Sequence, residues 1–146
     1  MQGKYTIMGF FWRVDPENNS LGTTEYGLQN FVGDVFIKED GHFQGELVDS
    51  YGESKISGII EGHRMDFIKI YTKPTKSAVN VPIQFVFGNE AGNGWRGIYE
   101  FFTKSDGSDE VETVKGDAAC MIFPAMATKV LAILKKDPSI LAKDPS

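Results

Sequence analysis

Residues 31–49 read FVGDVFIKEDGHFQGELVD, two runs of alternating apolar and polar residues on either side of an Asp-Gly pair. Alternation with a period of two is typical of β-strands that bury one face. An Asp-Gly pair between two such runs predicts a hairpin, because a tight two-residue turn requires positive φ at both of its positions. We therefore predict strands at 31–38 and 43–49, joined by a turn at 39–42.

The same period continues on both sides of this hairpin. It predicts six further strands, at residues 5–14, 54–61, 65–73, 83–88, 95–104 and 111–122. Short turns rich in Gly, Asn, Asp and Pro separate most of them, whereas the longer polar stretch at 15–30 is interpreted as a lid-like loop. Regularly spaced strands favour a meander, and closure would remove its two exposed edges. The predicted fold is all-β, a single eight-stranded antiparallel up-and-down barrel, with a two-sheet sandwich as the alternative.

The period changes only in the C-terminal tail. Pro124 can occupy the first turn of a helix, and Met126, Val130, Ile133 and Leu134 would then share one helical face. We expect this short helix to pack on the barrel wall or to plug one end. The predicted organisation is one domain, with the barrel at 1–123 and the helix and tail at 124–146 packed on it.

Composition limits the classes of partner. Hydrophobic residues make up 41% of the 146 residues and charged residues 24%, which is typical of a globular protein. The formal net charge of -5 disfavours nucleic acid as a partner, and the apolar run at 7–12 is too short to span a membrane. Cys120 is the single cysteine, so no internal disulfide can form, and this favours a reducing, cytoplasmic location. In the apolar run 118–122, its thiol is expected to be buried and inert.

Glycine and aromatic spacings over most of the chain carry a family resemblance. They read DGHFQG at 40–45, ISG at 56–58, MDFIKIY at 65–71 and WRGIY at 95–99, with Asp49 and Gly52 between the first two. This pattern resembles the small calycin-type β-barrels, namely the lipocalins, fatty-acid-binding proteins and avidins, and the lipocalin-like domains near them. The resemblance covers strands two to eight and implies a barrel that holds a small molecule.

Three departures from these families limit what the resemblance implies. Residues 9–12 read GFFW, one residue longer than the Gly-x-Trp element of lipocalins. The Asn- and Gly-containing stretch at 18–27 is a poor helix former, unlike the two helices that fatty-acid-binding proteins place after their first strand. The biotin-contacting residues of avidins have no counterpart here, so none is assigned.

The orientation of the strands decides what the barrel interior holds. One face of the predicted fifth and seventh strands carries mainly aromatic residues, and the opposite face carries Ile68, Ile70, Ile98 and Phe102. The aromatic face has the greater volume, so we expect it to point inward. The inward set would comprise Phe43, Phe67, Lys69, Tyr71, Phe85, Phe87, Trp95, Tyr99 and Phe101.

A lysine inside an aromatic-lined barrel requires a partner, because burying an unpaired charge is unfavourable. Lys69 or Arg13 could capture a ligand carboxylate while the aromatic residues hold its apolar body. Alternatively, Lys69 forms a structural ion pair, with Asp49 as the candidate partner. The predicted ligand-binding residues are Arg13, Phe43, Phe67, Lys69, Tyr71, Phe85, Trp95 and Tyr99.

Signals for catalysis or metal binding are weak. His42 and His63 both fall in predicted turns beside glycine, with no catalytic or ligand spacing around them. The acidic turn at 106–110 lacks the twelve-residue pattern of a calcium loop. No cofactor and no metal are predicted, and an enzyme is the third-ranked hypothesis, with Lys69, Tyr71 and Glu100 as its candidates.

Two hypotheses about function therefore stand ahead of catalysis. The leading one is a non-catalytic protein that binds a small, largely apolar ligand in its barrel. The alternative is a scaffold or interaction module with a filled barrel, whose apolar outer face is used for oligomerisation. The expected partners are accordingly a small hydrophobic molecule or a second copy of the chain, with no nucleic acid and no membrane span.

Overall fold

The computed structural model of the protein describes residues 2–13, 28–75, 79–89, 94–104, 109–125 and 128–137. No helix within these ranges has the length and apolar character that crossing a membrane requires. The elements are β1 (Gly3–Trp12), β2 (Gln29–Ile37), β3 (His42–Asp49), β4 (Gly52–Glu61), β5 (Arg64–Pro74), β6 (Ile83–Gly88), β7 (Gly94–Lys104), β8 (Val111–Pro124) and α1 (Thr128–Lys136).

The eight strands form one closed barrel in which each strand pairs antiparallel with the next. Closure is made by β1, whose Gly9 faces Phe31 of β2 on one side and Cys120 of β8 on the other. The predicted all-β, eight-stranded up-and-down barrel is confirmed, and the two-sheet alternative is wrong. Closure leaves no strand edge of the described barrel without a partner, which protects these apolar strands from pairing with other chains.

The turn between β2 and β3 differs from the predicted one. The Gly41 N–H donates to the Lys38 carbonyl at 3.0 Å, and the Lys38 N–H donates to the His42 carbonyl at 2.8 Å. The centre of the turn is therefore Glu39-Asp40, and the predicted central pair Asp40-Gly41 is wrong by one position. Gly41 follows with φ +94°, as in three-residue hairpin loops that end on a left-handed glycine.

Several predicted segments fall outside the described residues. Most of the predicted lid-like loop lies there, at 14–27, although Gln29 and Asn30 belong to β2. The same holds for most of the turns at 90–93 and 105–108 and for the tail at 138–146. These predictions stay predictions.

The helix packs on the outside of the barrel wall. Leu131 and Leu134 of α1 are buried with Val32 of β2, and Met8 of β1 packs against the same cluster. An ion pair between Lys135 Nζ and Asp34 Oδ1, 3.3 Å apart, holds the last turn of the helix to β2. Of the two expected positions, the wall is confirmed.

The start of the helix was predicted wrongly, and its buried face was predicted correctly only for Leu134. Pro124, expected in its first turn, is the last residue of β8, and α1 begins at Thr128. Val130 and Ile133 are 47% and 54% exposed, whereas Leu131 and Leu134 are buried. A helix advances about 100° per residue, so Leu131 and Leu134 lie on one side of α1 and Ile133 lies on another.

Candidate functional site

The predicted orientation of the strands is confirmed. On β5, Met65, Phe67 and Lys69 are buried inside the barrel, while Ile68 and Ile70 between them are exposed. The same alternation holds on β7, with Trp95 and Tyr99 inside and Ile98 and Phe102 outside. The inward set predicted from side-chain volume is therefore the barrel core.

One half of the barrel is filled with side chains. This filled half contains Phe43, Met65, Phe67, Phe87 and Trp95, which lie towards the turns that join β2 to β3, β4 to β5 and β6 to β7. Ring centroids of Phe67 and Phe87 are 5.7 Å apart, and those of Phe43 and Phe67 are 6.1 Å apart. These distances are typical of packed aromatic pairs, so this half has the character of a protein core.

The other half encloses a cavity of about 430 Å³. Phe85 forms its floor, since its ring stacks on Phe67 of the filled half at 4.8 Å. The walls come from the ends of β1, β5 and β7, the start of β8 and the turn after β3. The lining residues are Phe11, Trp12, Arg13, Gln29, Tyr51, Lys69, Tyr71, Val79, Ile83, Phe85, Tyr99, Phe101 and Val114.

The predicted ligand-binding residues divide between the two halves. Arg13, Lys69, Tyr71, Phe85 and Tyr99 line the cavity together. The remaining three, which are Phe43, Phe67 and Trp95, lie in the filled half. Which half a residue occupies depends on the height of its side chain along the barrel axis. Alternation along a strand shows only which face a side chain is on, not its height.

Four aromatic residues of the cavity were not among the predicted ligand-binding residues: Phe101, which was predicted only to face inward, and Phe11, Trp12 and Tyr51. Phe11 could have been found, because it continues the inward alternation of Ile7 and Gly9 on β1. Trp12 directly follows Phe11, so the alternation of β1 assigns it to the outer face. Tyr51 lies in a turn. No periodic signal marks either of these two residues.

A buried carboxylate holds the polar side of the cavity together. Asp49 Oδ2 accepts hydrogen bonds from Lys69 Nζ at 2.5 Å and from the Tyr71 hydroxyl at 2.8 Å. Its Oδ1 accepts from the Tyr51 backbone N–H at 2.8 Å. The Lys69 and Asp49 side chains are 1% and 0% exposed. The predicted structural partner of Lys69 is therefore confirmed.

Small residues on β4 allow this contact across an intervening strand. Asp49 ends β3 and Lys69 lies on β5, and β4 runs between them. The inward positions of β4 at this height are Gly52, which faces Asp49, and Ser54, which faces Tyr71. Because neither carries a large side chain, the Lys69 amine can reach the carboxylate over them.

The environment of Lys69 favours its neutral form more than water does. Burial lowers the pKa of Lys69, and the charge and hydrogen bond of Asp49 oppose that fall. Three rings surround the amine, with Nζ 4.6 Å from the centroids of Phe11 and Tyr71 and 5.5 Å from that of Phe85. Ring faces attract a cation but replace only part of its hydration. The Lys69–Asp49 pair has no net charge in either proton arrangement.

Two of the three cavity tyrosines, Tyr71 and Tyr99, keep their hydroxyl protons at neutral pH. Burial and the neighbouring Asp49 carboxylate raise the pKa of Tyr71. Burial also raises the pKa of Tyr99 to about 12, and the positive charge of Arg13 opposes this rise. The Tyr71 hydroxyl donates to Asp49, whereas Tyr99 lines the cavity without a contact to this carboxylate.

Of the three residues considered for catalysis, Lys69 and Tyr71 meet at Asp49, but Glu100 does not join them. Glu100 lies on the outer face of β7 and pairs with Lys115 at 3.3 Å, so its proposed association with Lys69 and Tyr71 is wrong. His42, the first residue of β3 rather than a turn residue, pairs with Asp40 at 3.2 Å on the surface. Burial raises the pKa of the Cys120 thiol, as expected for an inert cysteine.

Within the described ranges, no three His, Cys, Asp or Glu side chains are grouped so that they could hold a metal ion. Comparison of the chain with protein-family models, with curated proteins and with solved structures gave no match.

Proposed function

We propose that this protein is a non-catalytic binder of a small, largely apolar molecule, held in the cavity half of the barrel. The observation that carries the proposal is the cavity of about 430 Å³ beside the buried Lys69–Asp49 pair. Small-molecule sites in proteins occupy about 300–1,000 Å³ and combine apolar walls with a few placed polar groups. The closed order of eight strands is also consistent with the calycin-type barrels, and we include that kinship and a cytoplasmic location in the proposal.

The aromatic residues around the cavity would hold the apolar body of the ligand. The Phe11 and Tyr99 rings meet edge to face, with centroids 5.6 Å apart, and Tyr99 lies 5.8 Å from Phe85. Such contacts hold the rings in fixed positions. A flat or ring-containing molecule could pack against them with little reordering of side chains, which favours affinity.

Charge balance separates the roles of the two cations. Asp49 neutralises Lys69, so an anionic ligand group would gain little from this buried pair. Arg13, which directly follows β1, brings a second cationic side chain to the cavity lining. Lys69 can instead donate to a neutral acceptor, because one of its three ammonium hydrogens is directed to Asp49.

A matched pair of variants on β6 tests the site. Ile83 faces the cavity and Gln84 faces outward. The Ile83→Trp substitution should fill the cavity, whereas Gln84→Trp adds the same side chain to the outside. Saturation-transfer NMR with 2-naphthylmethanol should detect binding to the wild type and to Gln84→Trp, with a large loss in Ile83→Trp. Equal signals from the two variants, or none from the wild type, would contradict the proposed site.

Native mass spectrometry of protein purified from its own source is the complementary measurement. A co-purified small molecule that is absent from the Ile83→Trp variant would identify the ligand class. A molecule retained equally by Ile83→Trp and Gln84→Trp would place its site elsewhere.

A second candidate function, self-association, is supported by the outer face of the barrel. Ile98 and Phe102 on β7 are 46% and 56% exposed, and Ile68 and Ile70 on β5 are 40% and 49% exposed. Apolar side chains grouped on a surface are typical of interfaces. Size-exclusion chromatography with light scattering should show a dimer or larger species that Ile98→Lys combined with Phe102→Lys dissociates. A monomer at every concentration tested would refute it.

A further inference from the structure

Lys69 is the single amine among the described residues that line the cavity. Its side chain is 1% exposed, and its hydrogen-bond partner within the described part of the chain is the Asp49 carboxylate. A purely structural ion pair does not require a cavity of about 430 Å³ at the same amine. This arrangement places a nucleophilic atom in contact with a proton acceptor, on a residue that lines a space for a small molecule.

We propose that Lys69 joins covalently to a ligand that carries an aldehyde or ketone group, forming an imine inside the barrel. This inference rests on the proposed function, since the ligand must first occupy the cavity. It narrows the ligand class from apolar molecules in general to apolar carbonyl compounds.

The first requirement is an amine with a free electron pair. At 2.5 Å from Lys69 Nζ, Asp49 Oδ2 is placed to take one ammonium proton, which leaves a neutral amine beside a neutral carboxylic acid. In an apolar surrounding this proton transfer costs less than it does in water, because it removes two buried charges together. The lowered pKa of Lys69 agrees with this direction. Buried lysines are used as imine-forming nucleophiles for this reason.

The reaction itself needs no further reagent. The Lys69 nitrogen forms a bond to the carbonyl carbon, and the C=O π electrons move to oxygen, which receives a proton from nitrogen. The Asp49 acid then protonates this hydroxyl, the C–O bond breaks and water leaves. The nitrogen electron pair completes the C=N bond. The products are a protonated imine, the Asp49 carboxylate and one water, so atoms and charge balance.

The site would also stabilise the product. A protonated imine carries the same single positive charge as the lysine ammonium, so Asp49 stays its counter-ion. The Phe11 and Tyr71 rings, 4.6 Å from the nitrogen, would face this cation as they face the ammonium. Tyr99 lines the same cavity, and we assign its hydroxyl as the donor to the carbonyl oxygen during attack.

Reductive trapping of the wild-type protein tests the inference directly. The protein is mixed at pH 7 with 2-naphthaldehyde at a molar ratio below one and treated with sodium cyanoborohydride, which reduces an imine to a stable secondary amine. Tryptic mass mapping then locates the added naphthylmethyl group. We expect modification at Lys69 to exceed that at any exposed lysine at least about tenfold. An exposed lysine, with a pKa of about 10.4, is neutral in only about one molecule in 2,500 at this pH.

Two variants serve as controls. Lys55 is exposed on β4, and Lys55→Met should leave the yield unchanged. The double variant Lys69→Met with Asp49→Asn removes the amine and its counter-ion together, and the yield of single adducts should fall at least about tenfold. Because the main measurement maps the adduct in the wild type, a folding defect in a variant does not affect it.

The alcohol 2-naphthylmethanol separates failure of this inference from failure of the proposed function. It has the same shape as the aldehyde and cannot form an imine. If the alcohol binds in the cavity and the aldehyde labels exposed lysines while Lys69 stays unmodified, the imine is refuted and the binding function stands. If neither compound occupies the cavity, the proposed function is refuted and the imine with it.

Discussion

Replacing Asp49 by asparagine removes a buried negative charge and keeps the shape of the side chain. The amide oxygen of the new side chain can still accept from the Tyr71 hydroxyl or the Tyr51 N–H, which both contact Asp49 in the wild type. What is lost is the counter-ion of Lys69, whose side chain is 1% exposed. The amine must then remain charged among aromatic rings or lose its proton, and both are unfavourable.

The magnitude follows from this burial. Removing one partner of a buried ion pair destabilises a protein by about 3–5 kcal/mol, and the retained hydrogen bonding places Asp49→Asn near the lower end, about 3 kcal/mol. For a chain of 146 residues, unfolding entropy of about 2.1 cal/mol/K per residue converts this to a melting temperature about 10 °C lower. The double variant Lys69→Met with Asp49→Asn should lie within about 1 kcal/mol of the wild type, since replacing both charges is often neutral.

Urea unfolding followed by tryptophan fluorescence measures these differences, with Lys69→Met completing the double-mutant cycle. We expect a coupling free energy of at least about 2 kcal/mol between the two positions. The exposed pair of Lys73 and Glu53, 3.2 Å apart, is the control, and Glu53→Gln should change stability by less than about 0.5 kcal/mol. Additive effects at Lys69 and Asp49 would refute the account of the pair.

Three further predictions concern other parts of the structure. Burial raises the pKa of Tyr99 to about 12, whereas its pKa in the unfolded chain is about 10. Between these two pH values the folded state keeps the hydroxyl proton that the unfolded state loses. The contribution of Tyr99 to folding stability is thus complete below about pH 10 and is lost as the pH rises to about 12. The Tyr99→Phe variant should lose less stability over this pH range. An ultraviolet difference titration that gives Tyr99 a midpoint near pH 10 would contradict the prediction. A Cβ on Gly116 would overlap the Tyr99 ring, so Gly116→Ala should lower the free energy of unfolding in urea by about 1–3 kcal/mol. Gly88→Ala is the control and should be nearly neutral, because its Cβ would meet only the His63 carbonyl oxygen at 3.9 Å. Leu134→Ala should destabilise the protein by about 2 kcal/mol. Ile133→Ala, on the exposed side of the same helix, should destabilise it by less than about 0.5 kcal/mol. Equal effects would mean that Ile133 is buried, as the sequence predicted.

The barrel and its inward face could be predicted because both follow from local alternation. A period of two assigns each residue to one face, and the greater volume of the aromatic set identifies the inner face. The Lys69–Asp49 contact could also be predicted from sequence. A lysine on an inward face needs a buried partner, and few acidic residues fall on inward positions.

The division into a filled half and a cavity half could not be predicted in this way. Whether Trp95 or Tyr99 lies beside the cavity depends on the register of each strand against its neighbours, which sets the height of a side chain along the barrel. Alternation carries no information on that height. The burial of Leu131 against Val32 is a related case, because it depends on how the helix lies against the barrel, which the period within the helix does not supply.

The pairing of β1 with β8 also has a consequence during synthesis of the chain. Gly9 and its partner Cys120 are about 110 residues apart, and ribosomes add about 5–20 residues per second. For roughly 6–22 seconds the second edge of β1 has no partner, although the strand is apolar and β2 is already made. Contacts between residues so distant in sequence also form slowly. Closure should therefore be the late step of folding, and a truncated chain that lacks β8 should aggregate through the exposed edge of β1.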